Sequence, residues 1–132
     1  MVDVAFRSYL PYHKNGVVAP VLITDDSPVF TSINTLVIAS SLPAGEYVLN
    51  AGWEWWIEDV NDSALFRVAS SITQGTIYSL EPKDQSDLRF DSASAPFTFA
   101  GGPITFDLQA SKTDGAQNLT VNWSSIEFER KA

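Results

Sequence analysis

The sequence predicts an all-β fold, a jelly-roll-like antiparallel β-sandwich of about eight strands. Apolar and polar residues alternate through most of the chain, which is the two-residue period of a strand with one buried face. Turn-forming stretches, such as residues 42–46, 73–75 and 100–103, separate the alternating runs. This spacing in a one-domain chain of 132 residues is typical of a sandwich or barrel, and an immunoglobulin-like strand order stays open.

The predicted strands follow one another along the chain. In the run GEYVLNAGWEWWIE, alternate residues from Tyr47 to Ile57 are apolar, while Glu54 and Glu58 share the opposite parity. Further runs alternate in a similar way and lie at residues 35–42, 64–69, 75–81, 88–91, 96–100, 104–110 and 119–130. In the last run the apolar parity changes, which predicts a β-bulge or bend at residues 124–125.

The tryptophans divide by parity. Trp53 and Trp55 share the inward parity of their strand, and Trp123 shares that of its own run, so we predict all three in the core. Trp56 has outward parity and lies between two glutamates. Such a residue packs beneath the N-terminal segment, lies in a subunit interface, where tryptophan is enriched, or stacks on a sugar ring. Trp56 is therefore the best candidate for a contact residue on the sheet.

The first 28 residues differ from the rest of the chain. They contain three prolines and alternate poorly, and proline is excluded from the central strands of a sheet. We therefore predict an N-terminal arm over residues 1–28 and a single β-sandwich domain over residues 29–132. The apolar residues of the arm must be covered, either by this domain or by a neighbouring subunit.

The charge of the chain argues against two kinds of partner. The formal net charge is −8, from 8 Lys and Arg against 16 Asp and Glu. So few scattered cations do not supply the patch that nucleic acid or an anionic membrane surface requires. No apolar run approaches the roughly 20 residues of a membrane span. The first residues also lack the pattern of a secretion signal, so we expect a protein made in the cytosol.

Few residues offer the usual chemistry of an active site. With no cysteine and one histidine, His13, the parts of a zinc site or a Ser–His–Asp triad are missing. Glu54 and Glu58 lie about 13 Å apart along one strand, farther than either spacing of glycosidase carboxylates. We therefore expect no enzyme, no cofactor and no metal. The alternative to a solvated acidic loop is a calcium site, with ligands among Glu81, Asp84, Asp87 and Asp91.

Two long segments carry a likeness to a known kind of protein. They read FTSINTLVIASSLPAGEYVLNAGWEWWI and, late in the chain, ITFDLQASKTDGAQNLTVNWSSIEFERK. A Leu-Pro-Ala-Gly-Glu-Tyr turn leads into a tryptophan-rich strand, and an F-x-L-x-A strand precedes a glycine-containing loop and a final strand that ends in charge. In this architecture, residues 30–130 resemble small jelly-roll virion proteins of tailed bacteriophages, which include capsid decoration (cement) proteins and fibre modules.

The resemblance implies a non-enzymatic structural protein, a capsid decoration subunit that binds and stabilises the outer surface of a phage head. Its partners would be the major capsid protein and further copies of itself, commonly as a homotrimer. It would reside in the virion after assembly in the host cytoplasm. The interface residues that we predict lie in the arm and on the tryptophan-rich strand, and they are Arg7, Tyr9, Tyr12, His13, Lys14 and Trp56.

An alternative function comes from a different class, namely a carbohydrate-binding or receptor-binding β-sandwich module of a phage fibre. Trp56 would then stack on a sugar, with Asp59, Asn61 and Asp62 as polar partners. The decoration role predicts a stable oligomer with affinity for capsids. The alternative predicts that a sugar quenches the tryptophan fluorescence.

Overall fold

The computed structural model describes residues 12–58, 62–81, 88–113 and 118–131. They form two antiparallel sheets that pack face to face. The strands are β1 (Tyr12–Val17), β2 (Val21–Ile23), β3 (Thr31–Leu42), β4 (Gly45–Ile57), β5 (Ala64–Ser70), β6 (Tyr78–Leu80), β7 (Arg89–Phe99), β8 (Gly102–Lys112) and β9 (Leu119–Arg130). Within these ranges, no helix has the length and apolar character needed to cross a membrane.

The strand order is that of a jelly roll. The first sheet has the order β1-β9-β4-β7, with β2 also paired to β9, and the second sheet has the order β3-β8-β5-β6. β1 and β2 lie end to end along β9, because β1 pairs with residues 124–129 and β2 with residues 119–121. If β1 and β2 are counted as one interrupted strand, the two sheets together contain eight strands. The predicted all-β, jelly-roll-like sandwich is confirmed.

The described part of the predicted arm belongs to the first sheet. Residues 12–17 and 21–23 pair with β9 of the same chain, and Ile23 is fully buried. Pro20 lies in the break between β1 and β2, where the ladder needs no donor. Residues 12–23 therefore pack on their own domain. Residues 1–11 lie outside the described residues, so that part of the arm stays a prediction.

The buried side-chain amide of Asn34 links β1 to the second sheet by hydrogen bonds. Asn34 of β3 accepts a hydrogen bond at 2.7 Å from Asn15 Nδ2 in β1. Its own Nδ2 donates to the Asn15 carbonyl oxygen at 3.1 Å and to Ser124 Oγ of β9 at 3.2 Å. Both donors and the acceptor of this buried side chain are engaged, which offsets the cost of removing it from water.

Replacing this amide tests how β1 is held. We expect Asn34→Ala to lower the free energy of unfolding by about 1–3 kcal/mol, because buried partners lose their hydrogen bonds. Hydrogen exchange of the β1 amides should also accelerate relative to those of β4. Asn50→Ala, whose amide lies on the outer face of the first sheet, serves as the matched control. Equal effects of the two variants on β1 exchange would argue against this attachment.

Two predicted strands prove to be one. The runs at residues 88–91 and 96–100 belong to the continuous strand β7, which pairs with β4 along its whole length. β7 is the edge of the first sheet, so Pro96 is tolerated there. The intervening residues, Ser92 to Ala95, are small, and their weak alternation gave no strand signal.

An aromatic cluster fills the space between the sheets. The rings of Tyr47 and Phe128 stack with centroids 4.5 Å apart, and Phe106 of the second sheet lies 4.7 Å from Phe128. Farther along the core, Trp53 stacks on Phe66 at 4.8 Å. Trp53 and Trp55 are both buried, as predicted. Ring-to-ring contacts thus join the two sheets, together with the aliphatic residues of the core.

Truncating the ring at the centre of this cluster should be costly. We expect Phe128→Ala to lower the free energy of unfolding by about 3–5 kcal/mol, since it removes a buried ring and leaves a cavity. Val37→Ala, at an exposed position of β3, should change it by less than about 0.5 kcal/mol. Denaturant melts of the two variants make the comparison. A small effect of Phe128→Ala would mean that the core closes around the missing ring.

β9 contains a bulge, but two residues earlier than predicted. Glu54 of β4 pairs with Trp123, whereas the next residue, Trp55, pairs with Val121, so Asn122 is the extra residue. The shift reverses the parity of the strand from this point. The prediction of Trp123 as a core residue is therefore wrong: its side chain lies half-buried on the outer face, level with Glu54.

Candidate functional site

The outer face of the first sheet carries a cluster of exposed apolar side chains. In one row across the sheet, Leu22 of β2 and Trp56 of β4 flank Thr120 of β9. Leu88 directly precedes Arg89 of β7, which pairs with Trp55, so it continues this row on the other side. Leu22 is 55% and Leu88 57% exposed, and Trp56 is half-buried. We call this region, with the two rings of the next row, the apolar end; its residues are Leu22, Trp56, Leu88, Phe90 and Trp123.

The next row contains a stacked pair of rings. Phe90 of β7 and Trp123 of β9 flank Glu54, and their centroids lie 5.5 Å apart with an angle of 30° between the planes. Both rings lean over Gly52: a Cβ built there would lie 3.1 Å from Phe90 Cζ and 3.7 Å from Trp123 Cζ3. Glycine therefore permits the rings to approach the backbone closely. Phe90 still remains 58% exposed.

A groove of about 290 Å³ lies beside these rings. Gly52 forms part of its floor together with its row partners Ser92 and Ser125. The next row supplies Asn50, Ser94 and Glu127, which also line the groove. In the part of the chain that the structure describes, four of these polar side chains form no hydrogen bond, and they are Asn50, Ser92, Ser94 and Ser125.

The polar end of the same face is built around Glu127. The Tyr12 hydroxyl donates to Glu127 Oε2 at 3.1 Å, and Lys14 Nζ lies 3.8 Å from Oε1. The hydrogen bond to Glu127 raises the pKa of Tyr12 above its ordinary value, and desolvation and the charges of Glu127 and Glu129 act in the same direction. β1 is thereby held to β9 by side chains as well as by the ladder.

The pKa of Tyr12 tests the Tyr12–Glu127 contact. We expect Glu127→Gln to lower the pKa of Tyr12, because the carboxylate favours the protonated phenol. In the native protein, the stabilisation that comes from the protonated Tyr12 beside Glu127 is fully present below a pH of about 10. It is lost as the pH rises through the raised pKa of Tyr12. The ring resonances of Tyr12, followed by NMR from neutral to alkaline pH, give the measurement. Lys14→Gln is the control, and an unchanged Tyr12 pKa in Glu127→Gln would rule out the carboxylate as the cause.

The predicted interface residues lie at opposite ends of this face. Tyr12 and Lys14 are at the polar end, and Trp56 is at the apolar end. The row of Tyr12 crosses β4 at Val48, eight residues from Trp56, which corresponds to about 26 Å. The structure therefore does not bring the three residues together into one patch.

The remaining predicted contact residues are elsewhere. His13 has the opposite parity to its neighbours on β1 and turns, half-buried, towards the second sheet. Asp62 is half-exposed between β4 and β5. Outside the described residues lie Arg7, Tyr9, Asp59 and Asn61.

Two carboxylates of the possible calcium site, Asp91 and Glu81, have other partners. Asp91 accepts a hydrogen bond from Trp55 Nε1 at 2.7 Å, and Arg89 Nε lies 3.9 Å from the same carboxylate. Glu81 accepts one from Ser63 Oγ at 3.3 Å. The other two residues of the possible calcium loop, Asp84 and Asp87, lie outside the described residues. Among the described residues, no three His, Cys, Asp or Glu side chains are grouped so that they could hold a metal ion.

The outer face of the second sheet is polar and internally bonded. Asp107 accepts hydrogen bonds from Thr35 Oγ1 at 3.0 Å, from Gln109 Nε2 at 2.7 Å and from the Ser32 hydroxyl. Gln109 in turn accepts from Arg67 Nε at 2.7 Å. This network satisfies the side chains across three strands, in contrast to the groove of the first sheet.

No protein-family model and no curated protein matches the sequence. The fold, however, is similar to solved structures. A structure of infectious bursal disease virus, Gt strain, matches with a TM-score of 0.61 and 6% identity over 92% of this chain and 33% of that one, so this protein spans about a third of its length. The C-terminal domain of EclA, a sugar-binding protein, matches at 0.54 and 9% identity over 83% of this chain and 78% of that one.

A third similar structure is Eiger TNF from S. frugiperda, with a TM-score of 0.55 and 12% identity over 93% of each chain. Identities this low show a shared fold and nothing about partners or ligands. The jelly roll is thus common to a virus structure, a sugar-binding domain and a TNF protein, and function has to be argued from this chain's own surface.

The sequence did not reveal the pair of rings over Gly52. Phe90 lies in a short run that offers no clear parity, and the predicted bulge at residues 124–125 leaves Trp123 on the inward parity. One signal was available: Gly52 falls at an outward position within a long strand, where glycine often marks close approach by another group.

Proposed function

We propose that the protein is a non-enzymatic structural protein of a virus particle, a jelly-roll subunit that binds other subunits through the apolar end. The observation that carries this proposal is the row of Leu22, Trp56 and Leu88, two of them more than half exposed. Neighbouring exposed apolar side chains mark contact surfaces on soluble proteins. Tryptophan in particular is enriched where protein interfaces are buried most completely.

The composition of the two outer faces supports the choice of surface. The second sheet has a hydrogen-bonded polar face, and the first sheet has polar residues at the Glu127 end. The apolar end contains a single charged residue between its rings, Glu54, which accepts a long 3.5 Å hydrogen bond from Asn122. Among the described strands of these two outer faces, the apolar end therefore has few charged groups from which water must be removed.

The proposed partners are further copies of this chain, as a homotrimer, and the major capsid protein of a phage head. The role is that of a decoration (cement) subunit that resides in the virion. The fold that this chain shares with a chain of infectious bursal disease virus supports a role in a virus particle. This support comes from the architecture alone. A net charge of −8 would keep many copies on one surface soluble through mutual repulsion.

The solution mass of the full chain tests self-association. We expect light scattering to give three times the 14.5 kDa of one chain. Trp56→Lys and Leu22→Lys should shift the equilibrium towards folded monomers, since each hot-spot side chain of an interface contributes about 2 kcal/mol or more. Lysine reduces the negative charge, so increased repulsion between subunits would not explain dissociation.

Val37→Lys is the matched control. Val37 is 65% exposed on the outer face of the second sheet, and its replacement should leave the mass unchanged. A full chain that stays monomeric at all concentrations would contradict self-association. An oligomer that dissociates equally in Val37→Lys would place the interface away from the apolar end.

A further inference from the structure

The groove beside Phe90 and Trp123 combines two features, and the assembly role accounts only for the first of them. One wall consists of stacked rings, of which Phe90 is 58% exposed. The floor and the far wall present hydroxyl and amide groups that lack partners in the described residues, from Asn50, Ser92, Ser94 and Ser125. A purely structural cover for Gly52 would account for the rings, but not for this cluster of free polar groups.

We propose that this groove binds one neutral monosaccharide unit of a glycan. A pyranose ring has an apolar face of C–H groups and a rim of hydroxyls. The apolar face matches the aromatic wall of the groove. The hydroxyls match its short side chains, which both donate and accept hydrogen bonds. The proposal does not rest on the assembly role and names different residues from those that the sequence suggested around Trp56.

Gly52 keeps the groove open. With hydrogen in place of a side chain, the floor between Ser92 and Ser125 remains low, and the Phe90 ring can rest on it. A methyl group at this position would lie 3.1 Å from Phe90 Cζ, so the ring would have to move away from the polar floor. The distance between the Phe90 ring and the hydroxyl groups of Ser92 and Ser125 therefore depends on this glycine.

The charges favour a neutral ligand. Of the described residues that line the groove, only Glu127 is a carboxylate, and Lys14 Nζ, 3.8 Å from it, balances its charge. No cation lines the groove itself, among the described residues. A carboxylated or phosphorylated sugar would therefore find no cation in the described lining to pair with, in a protein with a net charge of −8.

The size of the groove limits the ligand to one unit. Its volume of about 290 Å³ is just below the range of small-molecule sites, about 300–1,000 Å³. The groove also lies open on the face of a sheet, so part of the sugar stays in water. Affinity for a single free sugar should accordingly be weak, in the millimolar range, and should increase when several subunits present the site together.

The test uses the full chain and four probes, the methyl glycosides of glucose, galactose, mannose and N-acetylglucosamine. We expect saturation-transfer NMR to show binding of at least one of them, with a shift of the Trp123 indole N–H resonance. Phe90→Ala should weaken that binding about tenfold, the effect of losing one stacking contact. Asn50→Ala, which leaves the rings untouched, should also weaken it, and amide spectra would verify that both variants fold.

Trp56→Lys is the control, because it lies on the same face outside the groove and should leave sugar binding unchanged while it alters the oligomer mass. Methyl glucuronide should bind more weakly than the methyl glucoside. Absence of saturation transfer from all four neutral sugars would overturn the proposal, as would binding that neither Phe90→Ala nor Asn50→Ala reduces. Either result leaves the mass measurement, and hence the assembly role, untouched.

Discussion

β9 is the strand on which the rest of the structure depends, because it must satisfy three neighbouring strands and two faces at once. It pairs with β4 on one side and with β1 and β2 on the other. The extra residue at Asn122 is what makes this possible: on one side of it Val121 points into the core, and beyond it Ser124 does. Ser124 then meets Asn34, so the bulge also determines where the two sheets are linked.

The same bulge shows why the fold was more predictable than the site. Strand identity needs only a period of two, and the alternation from Tyr47 to Ile57 is clear in the sequence. The direction of a side chain after a bulge depends on which residue is the extra one. Neither Asn122 nor its neighbours in the sequence indicate the position of the bulge. Trp123 was therefore expected inside, and the surface to which it contributes was not foreseen.

Weak local signals account for the other differences. The small residues between Asp91 and Pro96 hid the continuity of β7, which only its pairing with β4 reveals. Prolines at positions 11, 20 and 28 predict an arm, and residues 12–23 need just one interruption, at Pro20, to lie end to end along β9 as two strands. In both cases long-range pairing outweighed the local pattern.

The division of the outer face into two ends gives this small sheet room for two kinds of contact. Apolar rows at one end favour protein, and the polar groove beside them favours a ligand rich in hydroxyls. The position of the Phe90 ring beside the groove depends on the absence of a single methyl group at Gly52. Glycine and alanine codons differ by one base, so one mutation could shift this ring relative to the polar floor. The buried face of β4 would be unaffected, and recognition could diverge between related chains while their fold stays constant.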